Sequence, residues 1–417
     1  MAESSGSRLE LLYRISQTIN SSLDLDVVME SLMDEVIFAT HAERGFLMLY
    51  DDQGQLSFRT ARGMDQQAIE ESEFKISRGI VERAAKEAIP LLTSNAQLDQ
   101  RFDTRASVKL YGLRSVLCVP ILQKGKTLGV IYVDNRFQNG IFLQEDLDLL
   151  TSIASSAGIA IDNARLYRIA VDKGRMEREL QMAREVQVSL IPASTPVIPG
   201  WELAACWKPA HEVSGDFYDF IPLSSGNYGI LVADVSDKGM PAALFMALSR
   251  SVIRSNAGQN ARLDQEIAKA NHLIWRDSRE GMFITLFYAL LQPDCGDVTY
   301  VNAGHNPPLV LHTEKGTIDR LGRTGMAAGV EDDTPYSQAT VSLAAGEYLV
   351  MFTDGVTDAQ IGNAPPFGEE RFLATIRKHA GKSAREMVAA IEKDVCEFSG
   401  SGEPVDDLTL LIARRTG

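Results

Sequence analysis

ADVSDKGMPAALFMA, Ala233 to Ala247, begins as a strand, ends that strand in an acid and continues as a helix. Tyr228, Ile230, Leu231 and Val232 before it are apolar and β-prone, so the pattern predicts a strand that delivers Asp234 to the rim of a sheet. Asp237, Lys238 and Gly239 then make a turn, and Pro241 suits the first turn of a helix whose face carries Ala243, Leu244, Ala247 and Leu248. A carboxylate at the end of a buried strand is costly unless it is paired or holds a metal.

Three other apolar runs end or begin in the same way. Asp354 closes Tyr348 to Thr353 and is followed by Gly355, while Asp406 and Asp407 precede Leu408 to Ala413. Asp216 and Asp219 stand in SGDFYD, beside aromatic strand-formers. Four strand termini that offer carboxylates, with no histidine or cysteine among them, describe an all-oxygen site for Mg²⁺ or Mn²⁺ and argue against zinc. Any one of these acids alone reads as a cap or turn residue; their joint occurrence favours a site.

SGDFYD, ADVSDKGMPAALFMA, FITLFYALL, NAGHNPPLV, FTDGVTDA and DDLTLL stand in the order seen in metal-dependent serine/threonine phosphatases. From about Gln181 onward the chain resembles the SpoIIE/RsbU branch of the protein phosphatase 2C superfamily. That resemblance implies a β-sandwich flanked by helices, with two Mn²⁺ or Mg²⁺ ions per catalytic domain. It places Asp234 as the acid that touches both metals and the Val235 carbonyl on one of them. Asp354 with Asp406 or Asp407 completes one metal, and Asp216 acts near the other. Matching DDLT to the family motif puts Asp406 at the ligand position, with Asp407 left to hydrogen-bond a water. Many relatives carry Gly-His where Asp237 and Lys238 stand; Lys238 is then placed to attract phosphate, and the leaving group's proton donor is not named. His305 in NAGHNPP reads either as a catalytic group or as a histidine that holds its loop. Asp219 and Asp358 are candidates for supporting the ligands from behind, and Gly329 and Gly355 are read as turn residues.

The chain has 417 residues, which exceeds one typical core. Hydrophobic content of 45% and charged content of 23% fit a globular protein. The net charge of −15 disfavours nucleic acid or an anionic membrane as partner. No apolar run is long enough to span a bilayer, and the start MAESSGSR has no signal-peptide core, so a cytoplasmic location is expected. Cys118, Cys206, Cys295 and Cys396 lie far apart. None opens a C-x₅-R phosphate loop, since Lys124 stands six residues after Cys118, and thiol-based phosphatase chemistry is therefore excluded.

In the first third, Leu9, Leu12, Ile15 and Ile19 repeat at helical spacing, and a second helix carries Val28, Leu32 and Val36. Strands follow at Gly45 to Tyr50 and Leu56 to Ala61, and a hairpin turns at Lys124-Gly125-Lys126. This α+β region with an antiparallel sheet resembles a GAF domain. RGFLMLYDDQG, SVLCVPILQKGKTLGVIYVDNR, Phe142 and Asp146 carry the resemblance. It implies a pocket for an unidentified small ligand, or dimerisation. Asn135, Arg136, Phe142 and Asp146 match part of the set associated with cyclic nucleotides, with Leu147 where that set has a glutamate.

From Leu147 to Leu190 there is no proline, and Gly158 and Gly174 are the weak points of one long helix or two joined ones. Leu166, Ile169, Lys173, Met176, Leu180, Ala183, Gln187 and Leu190 follow a 3-4 spacing, which predicts a short coiled coil with Lys173 and Gln187 as polar seam positions. A helix packed on its own domain would show the same spacing. Helix should stop before Pro192. The expected organisation is thus α+β with two domains: a GAF sensor over 1–163, a helical coiled-coil linker over 164–192 and a phosphatase domain over 193–417. By resemblance the linker transmits signals and joins a homodimer through GAF and helix. The expected function is hydrolysis of phosphoserine or phosphothreonine in a protein, with an anti-sigma-factor antagonist as the implied substrate. The alternatives are a non-catalytic ligand-sensing scaffold and a phosphatase of small phosphorylated metabolites.

Overall fold

The computed structural model describes residues 13–19, 22–51, 53–63, 65, 67, 76–93, 115–136, 141–259, 262–278, 281–293, 295–362, 364–400 and 406–417. Leu9, Leu12 and Asp52, which the sequence places in the first helix and first turn, lie outside these. The chain divides into two compact units, Met1–Met176 and Glu177–Gly417. The two-domain α+β architecture expected from the sequence is present.

The first unit is an antiparallel five-stranded sheet in the order β2-β1-β5-β4-β3. Its strands are β1 (Arg44–Tyr50), β2 (Leu56–Gly63), β3 (Leu91–Thr93), β4 (Ser115–Gln123) and β5 (Lys126–Asn135). Side-chain alternation gives each face its own core. On one face Leu47, Leu49, Val119 and Ile131 pack against the helix Leu25–Thr40 and against Leu150 and Ile153 of the helix Gln144–Leu190. On the other, Phe46, Met48, Cys118 and Tyr132 pack against the helix Arg78–Glu87. The predicted β4–β5 hairpin turns through Lys124 (φ 49°) and Gly125 (φ 79°), the pair of positive φ values that a two-residue turn with the right twist requires.

Asn135, Arg136, Phe142 and Asp146 are used here for structure. The Asn135 side chain accepts the Glu43 N–H (2.8 Å), and the Arg136 N–H donates to Glu43 (2.7 Å). Phe142 is buried in the core, and Asp146 accepts the Leu143 N–H at the start of the long helix. That helix is a single element of 47 residues. Gly158 does not break it: a Cβ there would stand 2.5 Å from the Leu122 carbonyl oxygen, so the missing side chain lets the helix approach the β4–β5 hairpin. The helix stops at Leu190, two residues before Pro192.

In the second unit two antiparallel five-stranded sheets lie against each other. One runs β13-β10-β9-β8-β7 and the other β12-β11-β14-β15-β6. The first contains β7 (Phe217–Pro222), β8 (Tyr228–Val235), β9 (Ile284–Leu291), β10 (Asp297–Ala303) and β13 (Ala339–Ser342). The second contains β6 (Trp201–Lys208), β11 (Leu309–His312), β12 (Thr317–Arg320), β14 (Tyr348–Phe352) and β15 (Leu408–Arg415). One apolar core joins Ile230, Val232 and Phe287 of the first sheet to Leu349, Met351, Leu411 and Ala413 of the second, which is the packing of a sandwich. The helices Met240–Asn256 and Leu263–Asp277 contribute Phe245, Met246, Ile267 and Ile274 to the same core. The helices Gly368–Lys378 and Ala384–Ser399 cover the outer face of the second sheet. Among the described residues no helix is long and apolar enough to cross a membrane.

Candidate active site

Strand register brings the predicted acids to one end of the sandwich. Phe217 pairs with Ala233, so Asp216 before β7 and Asp234 near the end of β8 are neighbours. Phe352 pairs with Leu410, so Asp354 after β14 and Asp406 and Asp407 before β15 are neighbours in the other sheet. Asp216 joins the two ends. Its Oδ2 accepts hydrogen bonds from the hydroxyls of Thr353 (2.6 Å) and Thr409 (3.0 Å), and only 2% of the residue is exposed.

The carboxyls act on one another's charge. Burial, then the charges of Asp354, Asp406 and Asp407, push Asp234 up to about 7, against an opposing hydrogen bond from Asp216. Burial, then the charges of Asp234 and Asp407, hold Asp216 well above the carboxylate range. Asp354 is raised by burial and by Asp406 and Asp358. Asp216, Asp234 and Asp354, three carboxyls that resist simultaneous ionisation, form with Asp406 and Asp407 a cluster short of positive charge. A cation paired with it among the described residues is Lys238, whose Nζ is 2.8 Å from Asp406 Oδ2.

Asp407 differs from its neighbours. Its oxygens accept the backbone N–H of Ala210 (2.8 Å), the Ser214 hydroxyl (2.7 Å) and the Gly215 N–H (2.9 Å). It ties down the loop that ends in Asp216. Behind that loop, Gln187 on the long helix clamps Ser214 with both ends of its amide: Nε2 donates to the Ser214 carbonyl (2.7 Å) and Oε1 accepts the Ser214 N–H (2.9 Å). Side chains 165–186 are exposed or half-buried, whereas Gln187 is 4% exposed. In this structure it turns towards the sandwich and is not free for a helix seam.

The remaining predicted residues fall in different places. His305 is 1% exposed, its Nδ1 lies 2.9 Å from the Thr285 hydroxyl, and that hydroxyl donates to the Asp234 carbonyl (3.4 Å). Burial pulls its imidazole down to about 4, so it is a neutral ring behind Asp234. Asp358 is exposed beside Asp354, with its N–H on the Asp354 carbonyl (2.8 Å). Asp219 is not brought to the cluster: it is fully buried and paired with Arg250 (3.1 Å) and Arg254 (2.8 Å) of the Met240–Asn256 helix. Val235 ends β8 beside Asp234. Gly355 does more than permit a turn. A Cβ there would meet the Asp407 carbonyl oxygen at 2.0 Å, so only glycine lets the Asp354 turn sit on the start of β15.

Sequence reasoning missed Thr353, Thr409, Ser214 and Gln187. Thr353 and Thr409 do flank predicted acids, which is a signal of sorts; Gln187 stood out only as a polar residue in the apolar spacing of the long helix. The donor set, buried acidic oxygens with one lysine, fits a hard divalent cation. No three His, Cys, Asp or Glu side chains among the described residues are arranged as a closed ligand group.

The family described as stage II sporulation protein E (SpoIIE) matches residues 224–416, and the GAF domain family matches residues 24–161. Protein IcfG of Synechocystis is 31% identical over 273 residues, covering 59% of this chain and 43% of IcfG. Phosphoserine phosphatase RsbU of Bacillus subtilis is 30% identical over 270 residues, covering 64% of this chain and 79% of RsbU. The chain therefore spans less than half the length of IcfG and most of RsbU. The SiaA-PP2C domain of Pseudomonas aeruginosa superposes with a TM-score of 0.52 at 24% identity, over 59% of this chain and 99% of that one, and so shares its fold.

Proposed function

The chain belongs to the SpoIIE/RsbU-type phosphatases, with a GAF domain ahead of the phosphatase domain, and on that premise we propose that it is a GAF-regulated, metal-dependent protein phosphatase acting on phosphoserine or phosphothreonine. The observation that carries the reading is the convergence of Asp216, Asp234, Asp354 and Asp406 from both sheets on one end of the sandwich, where the first three are raised by burial and by the charge of neighbouring carboxylates and Asp406 is paired with Lys238. Asp234, Asp354 and Asp406, with Asp216 and the Val235 carbonyl, would hold two Mn²⁺ or Mg²⁺ ions. When bound, such ions supply Lewis acidity that acidifies water and screens a phosphate's charge.

The chain's own residues set up that chemistry. Asp216 joins the ends of the two sheets, its carboxyl fixed by Thr353 and Thr409. Asp407 holds the loop before Asp216, so in this reading it is a strut whose oxygens are already taken. His305 and Thr285 brace the Asp234 backbone from the core. Lys238 stands at the open side, where an anionic substrate would arrive.

RsbU is named a phosphoserine phosphatase, which supports phosphoserine as the first substrate to try. The family resemblance supports an anti-sigma-factor antagonist as the protein that carries it. A homodimer through the GAF unit and the long helix is part of the proposal, since Leu166, Ile169 and Met176 leave 54%, 54% and 63% of their surface exposed. Comparing phosphoserine peptides with sugar phosphates, each with and without Mn²⁺, tests the substrate class. Mn²⁺-dependent release from the peptides alone is expected. Release from sugar phosphates alone would support the metabolite reading, and peptide binding without turnover the scaffold.

A further inference from the structure

Lys238 lies in the turn between β8 and the Met240–Asn256 helix. Asp237 adopts φ 79° there, outside the usual range for a residue with a Cβ, and its carboxylate accepts the Lys238 N–H (2.9 Å). Gly239 follows with φ 74°. This constrained turn sends the lysine across to the start of β15. Its Nζ donates to Asp406 Oδ2 (2.8 Å), while Asp406 Oδ1 already accepts the Asp407 N–H (2.9 Å). Both Asp406 oxygens are thus committed, one to the backbone and one to a side chain that can swing away. The pair is open to solvent, with 60% of the lysine and 36% of the aspartate side chain exposed.

We propose that Lys238 is a tethered counter-ion of the acid cluster, which competes with a divalent cation for Asp406 Oδ2 and thereby sets how tightly the site binds metal. The proposal rests on the reading of Asp406 as a metal ligand. A lysine ammonium is a mobile point charge on a flexible stem, so it can neutralise the carboxylate and still yield to a cation of higher charge. An exposed pair of this kind is weak, and its effect on affinity should be a matter of a few fold. Arginine at the same place would keep the charge; methionine would keep the bulk of the stem and remove it.

The test is direct Mn²⁺ titration of the full chain, stripped of metal beforehand, with free Mn²⁺ read by electron paramagnetic resonance and no turnover involved. Lys238→Met is expected to bind Mn²⁺ about two- to fivefold more tightly than wild type, a gain of the size of one exposed ion pair. Lys238→Arg should stay near wild type. In an Asp406→Asn background, Lys238→Met should no longer alter whatever affinity remains. Unchanged affinity in Lys238→Met, beside clear binding by wild type, overturns the proposal and leaves the metal site standing. An equal gain in the Asp406→Asn background also overturns it, because the effect would then not act through that oxygen. Absence of Mn²⁺ binding in wild type and variants alike overturns the metal reading and the proposal with it.

Discussion

Asp406 and Asp407 are adjacent in sequence, yet their surroundings give them different work. Asp406 is half-buried and reaches Lys238, whereas Asp407 accepts two backbone N–H groups and a hydroxyl from the loop before Asp216. Asp407→Ala strands those donors and should destabilise the unit by about 2 kcal/mol, and Asp407→Asn, which keeps an acceptor, by about half of that. Urea unfolding read by tryptophan fluorescence checks this; equal stability of Asp407→Ala and wild type would contradict the strut. His305 makes a pH prediction. Its folded pKa of about 4 lies below the ordinary histidine value, so the unfolded chain binds more protons between pH 6.5 and 4. Its contribution is fully present above pH 6.5 and is lost as the pH falls towards 4. Between pH 7.5 and 5, wild type should lose about 2 kcal/mol more than His305→Asn, and parallel losses in the two proteins would contradict a buried neutral ring. At this scale the acids were legible because a carboxylate at the end of an apolar run is visible in one dimension. Thr353, Thr409 and Ser214 were not, because a hydroxyl's partner is decided by which strands come together. Asp219 was overread: its alternation on β7 points it at Arg250 and Arg254, one helical turn apart, and that spacing was the available clue.

Among the elements, the long helix shows where periodicity runs out. A 3-4 spacing marks one face of a helix without naming the neighbour that covers it. Gln187 lies on that face as a polar seam position, and the structure instead buries it on Ser214. Gln187→Glu replaces the amide donor with a carboxylate facing the Ser214 carbonyl and should cost the unit about 2 kcal/mol, whereas Gln187→Ala should cost about 1 kcal/mol. The three tryptophans, Trp201, Trp207 and Trp275, all lie in the second unit, so their fluorescence reports its unfolding alone. Equal midpoints for Gln187→Glu and wild type would show that the clamp contributes nothing. Strand ends were better predicted than helix faces. The β8 run, its terminal acid and the following turn are set by local chemistry, and register with β7 and β9 does the rest.

For the whole molecule, two domains of α+β type were readable because the motif order and the change from mixed strands and helices to an uninterrupted helix are properties of the chain itself. Assembly is a different matter, since one chain holds only half of any seam. If exposed Leu166 and Ile169 belong to a dimer, light scattering of the full chain should give twice the 45.7 kDa chain mass, and Leu166→Glu with Ile169→Glu should halve it. A wild-type monomer at micromolar concentration would contradict that assembly. The central claim is chemical and has its own test: phosphate release from a phosphoserine peptide by the full chain, wild type beside Asp234→Asn, with Mn²⁺ and then with excess chelator. The account predicts Mn²⁺-dependent turnover in wild type that the chelator abolishes, and a fall of about a thousandfold or more in kcat/KM for the folded Asp234→Asn protein. Turnover that survives the chelator, or an Asp234→Asn protein as active as wild type, would contradict it.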